Sequence, residues 1–394
     1  MEKIKSDFPF FRNHKDLVYL DSAATTFMPD CVIQRWTRYH SEIGVSTSRS
    51  KGFLGVLAEK ELENARNVIS DFFSASLYHT VFTKNATESL NLAAHTLEIT
   101  AGDVILIGPY EHHSNLLVWE RLALAKDAIV VALPVVDGAI IYDAFVGLTS
   151  LTIKVIAISI VSNIMGDTID LRRLFKLYKT KETVVVLDIT QAAAHNPPDL
   201  DAYNVDFVAV SAHKMYGPKN IGACFINKKT ADTLTPFMLG GGMVWSATGR
   251  STTWATGSAK FEAGTFDIGL VCAWAEACLF LSGLNIASVR KIENQLSLDL
   301  LRGLREIEHI DVLNGDVADS PIRIFDSPLI HPHDFETFLS RKGVIIRVGH
   351  MCSQNTLSIL GKTALCRCSI GVYNNSEDME KCLLALRVAG RGLL

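Results

Sequence analysis

Between residues 80 and 227, short apolar runs rich in β-branched residues alternate with helical stretches, and this pattern constrains the fold more than any other feature. The runs are Val81–Thr83, Val104–Ile107, Ile129–Pro134, Val155–Val161, Thr183–Leu187 and Phe207–Ser211; Thr87–Thr96 and Asp170–Tyr178 read as helices between them. Runs that are apolar throughout suit strands buried on both faces. With helices in between, they predict an α/β fold around a mostly parallel sheet. Sites in such sheets open at the C-terminal strand ends, so the polar residues that end these runs are the ones to inspect.

After residue 240 the pattern changes. Gly240–Gly242 and the Ser/Thr-rich stretch 246–256 interrupt it. Helical patterns follow near Leu270–Leu281 and Ile286–Glu306, then strands near Ile322–Phe325 and Val344–Arg347 and a helix near Glu377–Ala389. These predict a smaller α+β domain, with the boundary between residues 260 and 285. A chain of 394 residues accommodates two or three domains. A 48% hydrophobic composition supports a sizeable core, and a net charge of -4 gives no reason to expect nucleic acid or anionic membrane as a partner. The first residues lack the long apolar core of a signal peptide, and no uncharged run approaches the ~20 residues of a membrane span. Eight cysteines scattered over a large chain suggest reduced thiols and a cytoplasmic setting.

Three strand ends carry unusual polar residues. Val184–Leu187 leads into Asp188-Ile189-Thr190-Gln191, Phe207–Val210 into Ser211-Ala212-His213-Lys214, and Val155–Val161 into Ser162-Asn163. An acid, a lysine and two amides thus converge on one sheet edge. Pyridoxal phosphate (PLP) chemistry needs this set: a lysine to form the Schiff base and an acid to keep the pyridine nitrogen protonated. Asn163 and Gln191 are candidates for the ring hydroxyl. Lys84–Glu88 leaves a strand and opens a helix, so Ala86, Thr87 and nearby backbone N–H groups form an anion site; Ser211 and His213 supply further donors. A lone Asp after a strand is ordinarily a turn or cap residue, and a lone Lys ordinarily faces solvent. Their order and common placement favour the PLP reading. Cys366-x-Cys368 and His331-x-His333 lack the paired spacing of a zinc site, so no metal is expected.

The residues resemble class V aminotransferases of PLP fold type I, and within them type II cysteine desulfurases and selenocysteine lyases. The likeness runs over nearly the whole chain: Tyr19–Thr26, Glu111-His112-His113-Ser114-Asn115, Ser211–Pro218, Phe261–Thr265, Arg347–Cys352 and Cys366–Ser369 carry it. It implies a large domain (21–265) with a seven-stranded, mostly parallel sheet. It also implies an N-terminal segment (1–20) packing with a small α+β domain (266–394) that carries Cys352 and Arg367. In a homodimer, His112 would stack on the ring, Asp188 would pair with the pyridine nitrogen, and Asn163 and Gln191 would lie at the ring hydroxyl. Thr87, Ser211 and His213 would hold the phosphate, with Thr265 reaching in from the other subunit. Arg367 would bind the substrate carboxylate, and Asn163, Ala24 and Arg347 would also contact the substrate. Lys214 would remove the Cα proton of L-cysteine or a derivative, and Cys352 would take the sulfur as a persulfide and pass it to an acceptor, which can be a protein. His112 and His350 are alternatives for proton transfer near sulfur, and His113 is expected to point elsewhere.

Several positions depart from the resemblance. Ser48-Arg49-Ser50 replaces a His-Arg-Gly element, Thr190 stands where alanine is common, Phe266-Asp267 replaces Pro-Asn, and Asn355 replaces a proline. They surround the substrate rather than the cofactor. They leave open a divergent class V enzyme, such as a C–S lyase or epimerase working without an enzyme persulfide. A non-catalytic paralogue is disfavoured by the intact Lys214, Asp188 and His112.

Overall fold

The computed structural model describes residues 2–47, 52–146, 153–249, 251–317 and 319–393. The Ser48–Ser50 departure lies outside the described residues.

In chain order, the strands are β1 (Val18–Tyr19), β2 (Tyr78–Thr83), β3 (Val104–Ile107), β4 (Ile129–Ala132), a hairpin of β5 (Val135–Val136) and β6 (Ala139–Ile140), β7 (Ile153–Ser159), β8 (Val184–Asp188), β9 (Phe207–Ser211) and β10 (Gly222–Asn227). They continue through a hairpin of β11 (Val244–Thr248) and β12 (Ser251–Trp254), then β13 (Asp311–Val312), β14 (Ile322–Asp326), β15 (Val344–Ile345), β16 (Arg347–Gly349) and β17 (Leu365–Ser369). A seven-stranded sheet runs β2-β10-β9-β8-β7-β3-β4. From β9 to β4 it is parallel, as the apolar runs imply; β10 is antiparallel to both its neighbours.

Because successive strand residues face opposite ways, the sheet feeds two cores. Ile105, Ile107, Val155, Ala157, Val186 and Ala209 pack under Leu90, Ala93, Trp119 and Leu122 of helices Ala86–Thr96 and Leu117–Lys126. Leu106, Ile156, Ile158, Val185 and Leu187 face the other way, toward Leu62 and Ile69 of helix Phe53–Phe72 and Leu174 of Leu171–Tyr178. Each fully buried aliphatic side chain contributes about 1.5–3 kcal/mol. Helix Ile268–Gly283 also joins this second core. It is apolar all round, capped by Asp267 on Gly269 N at 2.8 Å, and packed against helices Asp30–Glu42 and Phe53–Phe72. No single helix among the described residues is long and apolar enough to cross a membrane.

A four-stranded sheet, β13-β14-β17-β16, is backed by helices Ile286–Arg305, Pro332–Arg341 and Ser376–Leu393, with Leu300, Phe325, Phe335, Leu339 and Leu386 at its centre. The segment before residue 20 contacts the core under helix Phe53–Phe72 and the core of the four-stranded sheet. β1 pairs in parallel with β15, while Phe8 sits edge-on to Phe11, Tyr216, Phe280 and Tyr373.

Candidate active site

Asp188 ends β8, and Lys214 closes the short 3-10 turn that follows β9, so neighbouring parallel strands deliver them to one sheet edge. Helix Ala86–Thr96 begins at the same edge, where Asn85 caps it by accepting from Glu88 N at 3.1 Å. The close fit depends on Gly222: a Cβ there would lie 2.4 Å from the Val210 carbonyl oxygen and 2.9 Å from Asn85 Cα. A cavity of about 280 Å³ opens between these elements. Ala24, Ala86, Thr87, His112, Asn163, Asp188, Thr190, Gln191, Ser211, His213, Lys214, Arg347, Cys352 and Arg367 are all among the residues lining it. Thr265 instead lines a separate cleft with Ser46, Arg66, Gly241, Glu262 and Phe266.

The electrostatics are those of a desolvated site. Burial pulls the Lys214 amine down to about 8, against the attraction of Asp188. Burial likewise pushes the Asp188 carboxyl above its usual range, although Thr190 N donates to Oδ1 at 2.9 Å and Lys214 lies nearby. His112 falls to about 3 and His213 to about 4, in each case from burial and then from Lys214, so both rings are neutral at physiological pH. His112 Nδ1 accepts from Ser114 N at 3.1 Å and sits 3.0 Å from Ser114 Oγ, which in turn meets the Thr87 hydroxyl at 2.7 Å. The Ser211 hydroxyl accepts from Ala86 N at 2.8 Å.

Among the described residues, Asn163 Oδ1 and Arg367 Nε are buried atoms of cavity-lining side chains that have no partner. Buried polar groups are rarely left unpaired without a functional reason. A polar aromatic guest with a phosphate suits this donor set: an amine, a carboxylate, a helix N-terminus and orphaned polar atoms. Gln191, expected at the ring hydroxyl, spends its Nε2 on the Ala23 carbonyl at 2.9 Å.

Arg367 lies on β17 and is 2% exposed. Its Nη1 donates to the Asn163 carbonyl at 2.8 Å and its Nη2 to Asp21 Oδ1 at 2.9 Å, and Arg347 approaches Asp21 at 3.8 Å. Sequence reasoning missed Asp21, although it is the polar residue just past β1 and belongs to the quoted Tyr-Leu-Asp segment. It also missed Glu111. This carboxyl is buried and pushed up to about 7, and it accepts from Ser159 N and from Asn115 Nδ2, both at 2.8 Å. Ser159 is the register partner of Asp188 and lines the cavity, so Glu111 sits directly behind the site floor.

Cys352 is the exposed thiol at the cavity mouth; Cys366 and Cys368 are buried in the core of the four-stranded sheet. His113 does not line the cavity, as expected, but it is not remote from the chemistry: its backbone N–H donates to the Cys352 carbonyl at 2.8 Å.

Residues 18–382 match the family model described as Aminotransferase class-V, and the chain belongs to that family. Proteins named "Probable cysteine desulfurase" from Staphylococcus aureus strain Mu50 and from Vibrio cholerae are each 31% identical to it over 397 aligned residues, covering 98% and 99% of this chain and 96% and 98% of theirs. The cysteine desulfurase CsdA of Escherichia coli, in its S-sulfonic acid form, superposes with a TM-score of 0.91 at 27% identity over 100% of this chain and 98% of its own. The cystine C–S lyase C-DES shares the fold, with a TM-score of 0.78 at 18% identity over 97% of this chain and 99% of its own.

Proposed function

We propose that this chain is a PLP-dependent cysteine desulfurase that converts L-cysteine to L-alanine and leaves the sulfur as a persulfide on Cys352. The observation that carries the reading is the meeting of a desolvated Lys214 amine, the Asp188 carboxylate and the exposed Cys352 thiol around one cavity. Likeness to proteins named as cysteine desulfurases supports it.

Asp188 would hold the pyridine nitrogen, His112 would cover the ring, and Thr87, Ser211 and His213 would hold the phosphate, with the Ala86 N–H orienting the Ser211 hydroxyl, while Asn163 would accept from the ring hydroxyl. When bound, PLP supplies an electron sink that makes the substrate Cα–H acidic. Lys214 Nζ, with a pKa near 8, is suited to taking that proton and returning one to Cβ. Arg367, held by Asp21, directs a guanidinium edge toward the substrate carboxylate. The Cys352 sulfur attacks the substrate sulfur. An S–S bond forms, the Cβ–S bond breaks, and the carbon fragment is protonated to alanine. A thiol then reduces the persulfide and releases sulfide, or a sulfur-acceptor protein takes the sulfur. A homodimer would bring Thr265 to the phosphate of a second copy.

The test is to load the purified protein with PLP and supply L-cysteine with a dithiol reductant. Alanine and sulfide are quantified for the wild type and for Cys352→Ala. The reading requires both products from the wild type and neither from the variant. Equal alanine from the two proteins would leave C–S lysis without an enzyme persulfide as the function.

A further inference from the structure

We propose that His113 is a positioning residue for Cys352: it clamps the loop that presents the thiol. The proposal rests on the desulfurase reading and adds a residue outside the cavity to it.

The loop needs a clamp. Met351 and Cys352 have φ of 49° and 54°, and Gly349 has φ of 103°. Two successive side-chain-bearing residues in the left-handed region persist only where the surroundings over-determine them. Those surroundings are specific. Asn163 Nδ2 donates to the Met351 carbonyl at 3.0 Å. Cys352 N donates to His350 Nδ1 at 3.3 Å, Ser353 N to the His350 carbonyl at 2.9 Å, and Ser353 Oγ to the Glu111 carbonyl at 2.8 Å.

His113 engages the loop three times. Its N–H donates to the Cys352 carbonyl at 2.8 Å, its Nε2 accepts from Gln354 N at 3.2 Å, and its ring stacks on His350 with centroids 6.1 Å apart. The thiol-bearing residue is thus pinned at its carbonyl and again two residues on. Because Gln354 N–H must donate, Nε2 is the acceptor and the proton of the neutral ring is on Nδ1. Burial and the neighbouring His350 lower the His113 pKa, which favours this neutral form. The ring faces a different cleft, shared with Asn91, His95 and Arg121, so its influence on the reaction runs through the loop.

A displacement of 1 Å at a reacting atom can cost about 10²-fold in rate. The substrate carboxylate, by contrast, meets Arg367, which His113 does not touch. The test uses full-length, PLP-loaded wild type, His113→Ala and His113→Gln; the glutamine amide oxygen can replace Nε2 as acceptor, and alanine cannot. Hydrogen exchange of the 349–356 amides is measured without substrate, and steady-state alanine formation with it. The expected result for alanine is at least tenfold faster exchange confined to this segment and a kcat lower by about 10²-fold with KM within about twofold. Glutamine should recover most of both. Unchanged exchange in His113→Ala overturns the clamp. Faster exchange with unchanged kcat, or no recovery with glutamine, overturns the positioning role. A wild type inert on cysteine would sink the desulfurase reading, and the exchange comparison would still decide the clamp.

Discussion

The floor of the site and its thiol loop are built in opposite ways. The floor comes from adjacent parallel strands: Asp188 and Lys214 arrive together because β8 and β9 pair and end at the same edge. The loop has no such frame. Cys352 is held in left-handed backbone by groups from distant parts of the chain, the Gln354–His113 bond alone spanning 241 positions. Floor geometry is therefore a by-product of sheet stability, whereas loop geometry depends on a few individual hydrogen bonds. Substitutions at the floor should be felt at the cofactor, and those at the loop only in sulfur transfer.

The largest effect expected is from Lys214→Ala, which should lower alanine formation by about 10⁴-fold or more and abolish covalent PLP attachment, seen as loss of the bound visible chromophore on gel filtration. Cys352→Ala should lower alanine formation on the order of 10³-fold while PLP binding, followed by the same chromophore, stays unchanged; weakened PLP binding would break the separation of floor from loop. Acid should act on the floor. His112 and His213 have folded pKa values of about 3 and 4, below the unfolded value near 6.5. Their contribution is therefore present above pH 6.5 and lost as pH falls through about 4 for His213 and about 3 for His112. Buried carboxyls such as Glu111 act in the opposite sense, so the effect is read against a variant: from pH 7 to pH 5 the urea-unfolding free energy of the PLP-free protein should change less favourably in the wild type than in His213→Gln, by roughly 1–2 kcal/mol. The smallest effect is expected from Thr190→Val, which removes a buried hydroxyl beside the Asp188 carboxyl. The stability of the PLP-free protein, from thermal melts, should change by no more than about 1 kcal/mol; a larger loss would place this hydroxyl in the support of Asp188.

This contrast also explains what could be read from the sequence. The six apolar runs appear as strands in the large sheet, and Asp188, Lys214 and Thr87, which line one cavity, were singled out because the pattern that marks a strand also marks its end. The antiparallel strand Gly222–Asn227 escaped notice, since its opening Gly-Ala lacks β-branched character. Arg367 and Cys352 were picked out by resemblance alone; local pattern gives an arginine on a short strand or a cysteine in a turn no distinction. Asp21, Glu111 and the role of His113 were not legible. Each is defined by a partner far along the chain or by a turn whose φ values composition does not reveal. Glu111, for instance, looks like any surface acid until Ser159 and Asn115 are seen to enclose it.

The pairing of Asp21 with Arg367 joins residues 346 positions apart, and β1 beside β15 ties the same two regions. During synthesis the first of these residues leaves the ribosome early and must wait for the second. At about 5–20 residues per second the wait is on the order of 20–70 s. Through that interval neither the Asp21–Arg367 pair nor the loop that presents Cys352 exists, and Tyr216, two residues past Lys214, still lacks the Val372 N–H from which its hydroxyl accepts. The side of the cavity made by Arg347, Cys352 and Arg367 is thus the last to arrive.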